Sequence, residues 1–164
     1  MSNASDTTMT REELGSLLNL LLECERAGAR LISAWLDELP RGSDFYDRLR
    51  EVQGDEARNC AVLIHYLLEA EAVPGTKIGE FYLKGLAVRD WHERLEFLNR
   101  GQLWVARRIT AALARMRPSG ARKALQEMRD SHLANVAHCE ELAASVSLRA
   151  GTPAELASSN ARTH

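Results

Sequence analysis

Counting along the chain in alternating steps of three and four picks out four lines of apolar residues, each spaced as one face of an α-helix. The first runs Leu14, Leu18, Leu21, Glu25, Gly28, Ile32, Trp35 and Leu39, and the second Phe45, Leu49, Val52, Glu56, Asn59, Leu63 and Tyr66. The third is Leu95, Leu98, Gln102, Val105, Ile109, Ala112 and Met116, and the last Leu125, Met128, His132, Asn135, Cys139, Leu142 and Val146. Each line is oily toward both ends and turns polar only near its middle. Four core-facing stripes with the same interruption predict four long helices whose polar residues meet.

Local signals set the boundaries. Thr10 and Glu13 form a capping box for the first helix, which runs unbroken to Pro40. Pro40-Arg41-Gly42 and a Ser43 cap make a tight turn, so the second helix, from about Asp44 to Ala72, is an antiparallel neighbour. Pro74-Gly75 stops it. The connection over 73–89 is too long for a turn, and Phe81, Tyr82, Leu83, Leu86 and Val88 predict a short extra helix within it. Such a connection can run along the bundle and return the chain to its other end. Asp90 and Glu93 give a second capping box, opening a helix to about Met116, and Pro118-Ser119-Gly120 precedes the last helix. Residues 1–9 and 147–164, small and polar, are expected to be a flexible lead and tail around one all-α domain, a four-helix bundle over 10–146.

Composition narrows the function classes. With 164 residues, 45% hydrophobic and 27% charged, the chain can bury a single core. A net charge of −2 gives no broad field to attract nucleic acid. No window holds the ~18 uncharged apolar residues that span a bilayer, and the N-terminus lacks a secretory pattern, so no membrane partner and a cytoplasmic location are expected. Arg outnumbering Lys, with abundant Ala, suits a GC-rich bacterial genome. Cys24, Cys60 and Cys139 fall within helical patterns and read as packed thiols rather than a disulfide framework. Phosphate-binding glycine loops, paired-cysteine zinc motifs and Ser-His-Asp spacing are absent.

The mid-helix polar residues carry the chemistry. Glu25 stands 14 residues before Leu39 and Glu56 stands 12 after Asp44, so an antiparallel hairpin brings them level. Gln102 precedes Met116 by 14 and His132 follows Ser119 by 13, which places the second pair at mid-height too. Glu25, Glu56, Asn59, Gln102, His132 and Asn135 can thus form one layer. A buried carboxylate without a partner costs several kcal/mol or takes up a proton, so this layer must supply compensation.

This arrangement resembles the ferritin-like superfamily, whose bundle carries a glutamate on one helix of each pair and a Glu-x-x-His motif on the other. The resemblance spans Thr10 to Val146. It implies that Glu25 takes the first-helix ligand position and Glu56 the glutamate of the second-helix motif, with Asn59 where histidine is usual. Gln102 falls at the third-helix glutamate, His132 at the glutamate of the last motif and Asn135 at its histidine. Two carboxylates and one imidazole remain of the usual four and two, and neutral amides are poor at bridging two ions or offsetting their charge.

The implied function is therefore a non-standard, mononuclear or degenerate metal site in the bundle core, with a redox role. Glu25, Glu56 and His132 would be the ligands of iron or manganese, less readily zinc, and Asn59, Gln102 and Asn135 supporting residues or weak ligands. Were the chain an enzyme, it would be a metal-dependent oxidoreductase. The alternative is a metal-free scaffold or dimerisation module in which the same side chains form a polar network that fixes helix register. A third reading is a small-molecule pocket with Glu25 or Glu56 as general base.

Other candidates are weaker. His65, His92 and His138 lie off the apolar lines and read as non-ligands, while Glu96 would replace Gln102 only if the third helix were rotated. Glu23 is expected on a solvated face with Ser16, Asn19, Arg26 and Arg30. Leu17, Leu20 and Leu31 offer an apolar surface for a homodimer. Trp35, Trp91 and Trp104, spread along the sequence, are expected as separate anchors.

Overall fold

The computed structural model describes residues 8–147; of the expected loose ends, all but Thr8, Met9 and Ser147 lie outside the described residues. The described residues form five helices and no strand: α1 (Arg11–Leu36), α2 (Asp44–Glu69), α3 (Glu80–Ala87), α4 (Trp91–Leu113) and α5 (Gly120–Ser147). The chain is all-α, and α3 is the extra helix in the long connection.

The caps follow their residue types. Thr10 accepts the N–H of Glu13 while the Glu13 side chain accepts that of Thr10, closing the predicted box. Ser43 caps α2 through the N–H of Tyr46. At α4 only the forward half of the box forms, Asp90 accepting from Glu93. The second helix stops short of the predicted Ala72 because Glu71 turns left-handed (φ 56°), with Ala72 N–H bonded to Leu67 O and Glu71 N–H to Leu68 O. This is the paired closure that usually recruits glycine.

Two antiparallel pairs, α1 with α2 and α4 with α5, pack together, with further contacts of α2 on α5 and α1 on α4. At one end the Cα of Gly15 faces Ala72, and Arg115 reaches Glu13 and the Met9 N–H. At the other end Arg94 of α4 pairs with Glu38, just beyond α1. The start of α4 therefore lies beside the end of α1, and α4 runs parallel to α2. The connection must carry the chain the length of the molecule, and it does so along α1.

That path corrects part of the expectation of a solvated outer face on α1: Ser16 and Arg30 are exposed, but the connection covers Asn19, Glu23 and Arg26. Asn19 bonds the N–H of Gly75 and the carbonyl of Val73, Arg26 donates to the carbonyls of Gly75 and Lys77, and Glu23 abuts Gly79. Leu31 is fully buried because Gly85 of α3 sits directly over it. It is thus unavailable to a dimer interface, and Leu17 and Leu20 are only half-buried.

Two apolar clusters fill the interior, one above and one below the polar layer. One gathers Ile32, Trp35, Phe45, Leu49, Trp91, Leu95 and Leu142; the other gathers Leu18, Leu21, Leu63, Leu67, Ile109, Leu125 and Met128. Trp35 and Trp91 are not separate but pack edge to face at 6.2 Å, with the buried Arg94 guanidinium against both rings. Trp104 stands apart and is 44% exposed. No described helix is long and apolar enough to cross a membrane.

Candidate metal centre

Between those clusters the four long helices each contribute their mid-length polar residue. Glu25 from α1, Glu56 from α2, Gln102 from α4 and His132 and Asn135 from α5 are all buried, and Asn59 of α2 is half-buried. Each follows from helical periodicity, since each occupies a core-facing turn of an otherwise apolar stripe. One donor atom from each of Glu25, Glu56 and His132 lies within 4.8 Å of the other two.

Hydrogen bonds order the group. His132 Nε2 is 2.7 Å from Glu25 Oε1, and the other carboxylate oxygen, Oε2, accepts from Asn59 Nδ2 at 2.9 Å. On the far side of the ring, His132 Nδ1 contacts Gln102 Oε1. An amide oxygen only accepts, so this contact places the proton on Nδ1. Nε2 then faces Glu25 with either a second proton or a free lone pair. Asn135 lies one turn further along α5, buried beside this group.

Glu56 has the most costly position. Burial, the negative charge of Glu25 and a hydrogen bond to Glu25 push its carboxyl well above the ordinary carboxylate range. The charged form of Glu56 is therefore disfavoured beside Glu25 in this dry interior, and a cation between the two would offset that cost. Gly28 makes the room: a methyl group built on its Cα would come within 2.9 Å of Glu56 Cδ and closer still to Oε2. Gly28 was not singled out by the sequence, where it looks like one more small residue in the stripe. Its place one turn after Glu25 is the signal that was there to read.

The donor set suits one divalent cation. Ligand bonds of about 2.0–2.2 Å need donor atoms roughly 3–3.5 Å apart, a contraction that small side-chain rotations supply. Two carboxylates and one imidazole match the hard-to-borderline preference of manganese and iron. The Gln102 carbonyl would hold His132 in the tautomer that presents Nε2, as supporting groups of metal-bound histidines do.

The remaining candidates lie elsewhere. Glu96 is exposed and within 3.9 Å of His92, leaving Gln102 in the layer. His65 pairs loosely with Glu69 on the surface, and His138 is exposed. Burial raises the thiols of Cys24 and Cys139 to about 12 and that of Cys60 to about 11, with nearby glutamate charge adding to the effect. They are packed thiols. Beside the polar layer lies a cavity of about 220 Å³, reaching Glu56, Gln102 and His132 at its polar end.

The chain is thus an all-helical protein with a buried carboxylate and histidine cluster at mid-height. Residues 12–141 match the DUF6306 family, a domain of unknown function, and the chain belongs to that family. None of the curated proteins and none of the solved structures compared with it matches.

Proposed function

We propose that this protein is a ferritin-like four-helix bundle that holds one divalent metal ion, iron or manganese in preference to zinc, through Glu25, Glu56 and His132. The observation that carries this reading is the buried Glu25–Glu56 carboxyl pair, with one oxygen of each and a ring nitrogen of His132 all within 4.8 Å of one another. A bundle needing only register could use less costly groups, whereas a cation site needs adjacent carboxylates. Asn59 and Gln102 orient Glu25 and His132, and Asn135 completes the buried layer. With three protein ligands the ion keeps open positions, and the adjoining cavity gives a small molecule access to them. That combination supports the further reading of a metal-dependent oxidoreductase.

A second reading has its own support: Glu25 already has partners on both oxygens, His132 and Asn59, so the layer can stand as a metal-free network. Elemental analysis of protein purified without chelators separates the two. Close to one equivalent of iron or manganese per chain, lost in Glu56→Ala and His132→Ala, is the expected result. A wild-type protein that is empty and takes up neither Fe(II) nor Mn(II) on addition would leave only the structural network.

A further inference from the structure

The cavity next to the polar layer has a chemistry of its own. Its wall is almost wholly apolar, built from Phe81 of α3 and Leu98, Trp104 and Val105 of α4. Polar groups enter only at the floor, where Glu56, Gln102 and His132 contribute. Its volume is about 220 Å³. A dry cavity of about 150 Å³ lined by similar side chains accepts benzene, so this one has room for a single ring with two or three further heavy atoms.

One floor atom lacks a partner. Gln102 is 2% exposed, and its Nε2 makes no hydrogen bond although its Oε1 is engaged by His132. A buried amide N–H left unpaired is costly, and an acceptor brought in by a ligand would remove that cost. The outer side of the cavity is adapted as well. Phe81 is stacked on Phe97 at 4.5 Å, and it lies over Gly101 so closely that a methyl group there would come within 2.7 Å of two ring carbons. Any larger residue at 101 would drive the ring away from α4. Trp104, 44% exposed, marks the side facing solvent.

We propose that this cavity binds a neutral, one-ring-sized apolar molecule carrying a single hydrogen-bond acceptor, an aryl ketone or comparable carbonyl compound. The apolar portion lies among Phe81, Leu98, Trp104 and Val105, and the acceptor oxygen takes the Gln102 N–H beside Glu56 and His132. A carboxylate ligand is disfavoured, because its charge would meet the Glu25–Glu56 pair. This inference deepens the metal reading and rests on it only in naming what would reach the ion's open side; the apolar pocket and the Gln102 contact stand without the ion.

The test uses acetophenone and α-methylstyrene, which differ by exchange of the carbonyl oxygen for a methylene group. Both are titrated calorimetrically into the full chain, once freed of metal by chelator and once loaded with Mn(II). Acetophenone is expected to bind the metal-free protein about tenfold more tightly than α-methylstyrene, the ratio one well-made neutral hydrogen bond supplies. Gln102→Leu should bring the two affinities together while keeping apolar binding. Val105→Phe, which fills the cavity and leaves the polar floor intact, should weaken both at least tenfold. Absence of saturable binding, equal affinities in the wild type, or full binding by a folded Val105→Phe variant would each overturn the proposal. A protein that takes up no Mn(II) yet still prefers acetophenone would sink the metal reading alone, so the two failures are distinguishable.

Discussion

Gly28 of α1 lies against the carboxyl group of Glu56 on α2, and the hydrogen in place of a side chain there is what lets that carboxyl reach Glu25. Gly28 costs the helix roughly 0.5–1 kcal/mol relative to alanine, so the close approach opposes local propensity. Gly28→Ala should displace the carboxyl rather than relieve a backbone strain. The expected outcome is a loss of about 1–3 kcal/mol in urea unfolding despite the better helix former, together with reduced metal content. A variant more stable than wild type with unchanged metal content would show that the contact is incidental.

The raised Glu56 carboxyl sets a pH dependence with a definite sign. In metal-free protein the native state keeps this proton to higher pH than the unfolded chain, so it binds more protons over that interval. Its contribution is fully present below the ordinary glutamate value of 4.5 and is lost as pH rises toward the elevated folded value. Glu56→Gln cannot titrate. The stability difference, wild type minus Glu56→Gln, should therefore fall as pH rises above 4.5 in chelated protein. Because a cation displaces the same proton, metal binding should release protons and strengthen with pH over that range. A pH-independent difference would place Glu56 in contact with water.

The sequence made the polar layer legible because depth along a helix can be counted. Glu25, Glu56, Gln102 and His132 each stand a similar number of residues from a turn, and helices of regular rise turn that count into height. What counting cannot give is which side chains touch. Glu38 and Arg94 are 56 positions apart and meet only because the 73–89 connection runs along α1. Asn19, Arg26 and Glu23 looked like a solvated face because a side chain bonded to backbone carbonyls has the same polarity as one bonded to water. Leu31 looked free for the same reason in reverse, since its cover is a glycine, Gly85, in an element whose path the sequence left open.

Arg94 shows how much of that unread detail bears on stability. It is 2% exposed, bonded through both terminal nitrogens to Glu38 and through Nε to Val88 O, and flanked by Trp35 and Trp91. Glu38 is itself about half exposed, so the ion pair alone is partly screened, and the greater loss on truncation is packing plus an unpaired Val88 carbonyl. Arg94→Ala should cost about 3 kcal/mol, changing little between low and high salt. Arg11→Ala, which removes the exposed pair with Glu71, should cost under about 0.5 kcal/mol. Comparable losses for the two would mean that Arg94 is held no better than a surface residue.

The three cysteines give a direct probe of how closed the layer is. The thiolate is the form that reacts with alkylating agents, and burial holds Cys24 and Cys139 near 12 and Cys60 near 11. At pH 7.5 each is almost entirely protonated, and Cys139 is also fully shielded from solvent. Native protein treated with iodoacetamide should remain unmodified by mass spectrometry over a time in which urea-unfolded chain takes three labels. Cys24 also borders the cavity, so labelling there reports on access from that side. Prompt native labelling of Cys24 alone would reveal an opening of the cavity wall. Prompt labelling of Cys139 would show that the interior between α2 and α5 opens, and with it the dry setting that raises the Glu56 carboxyl.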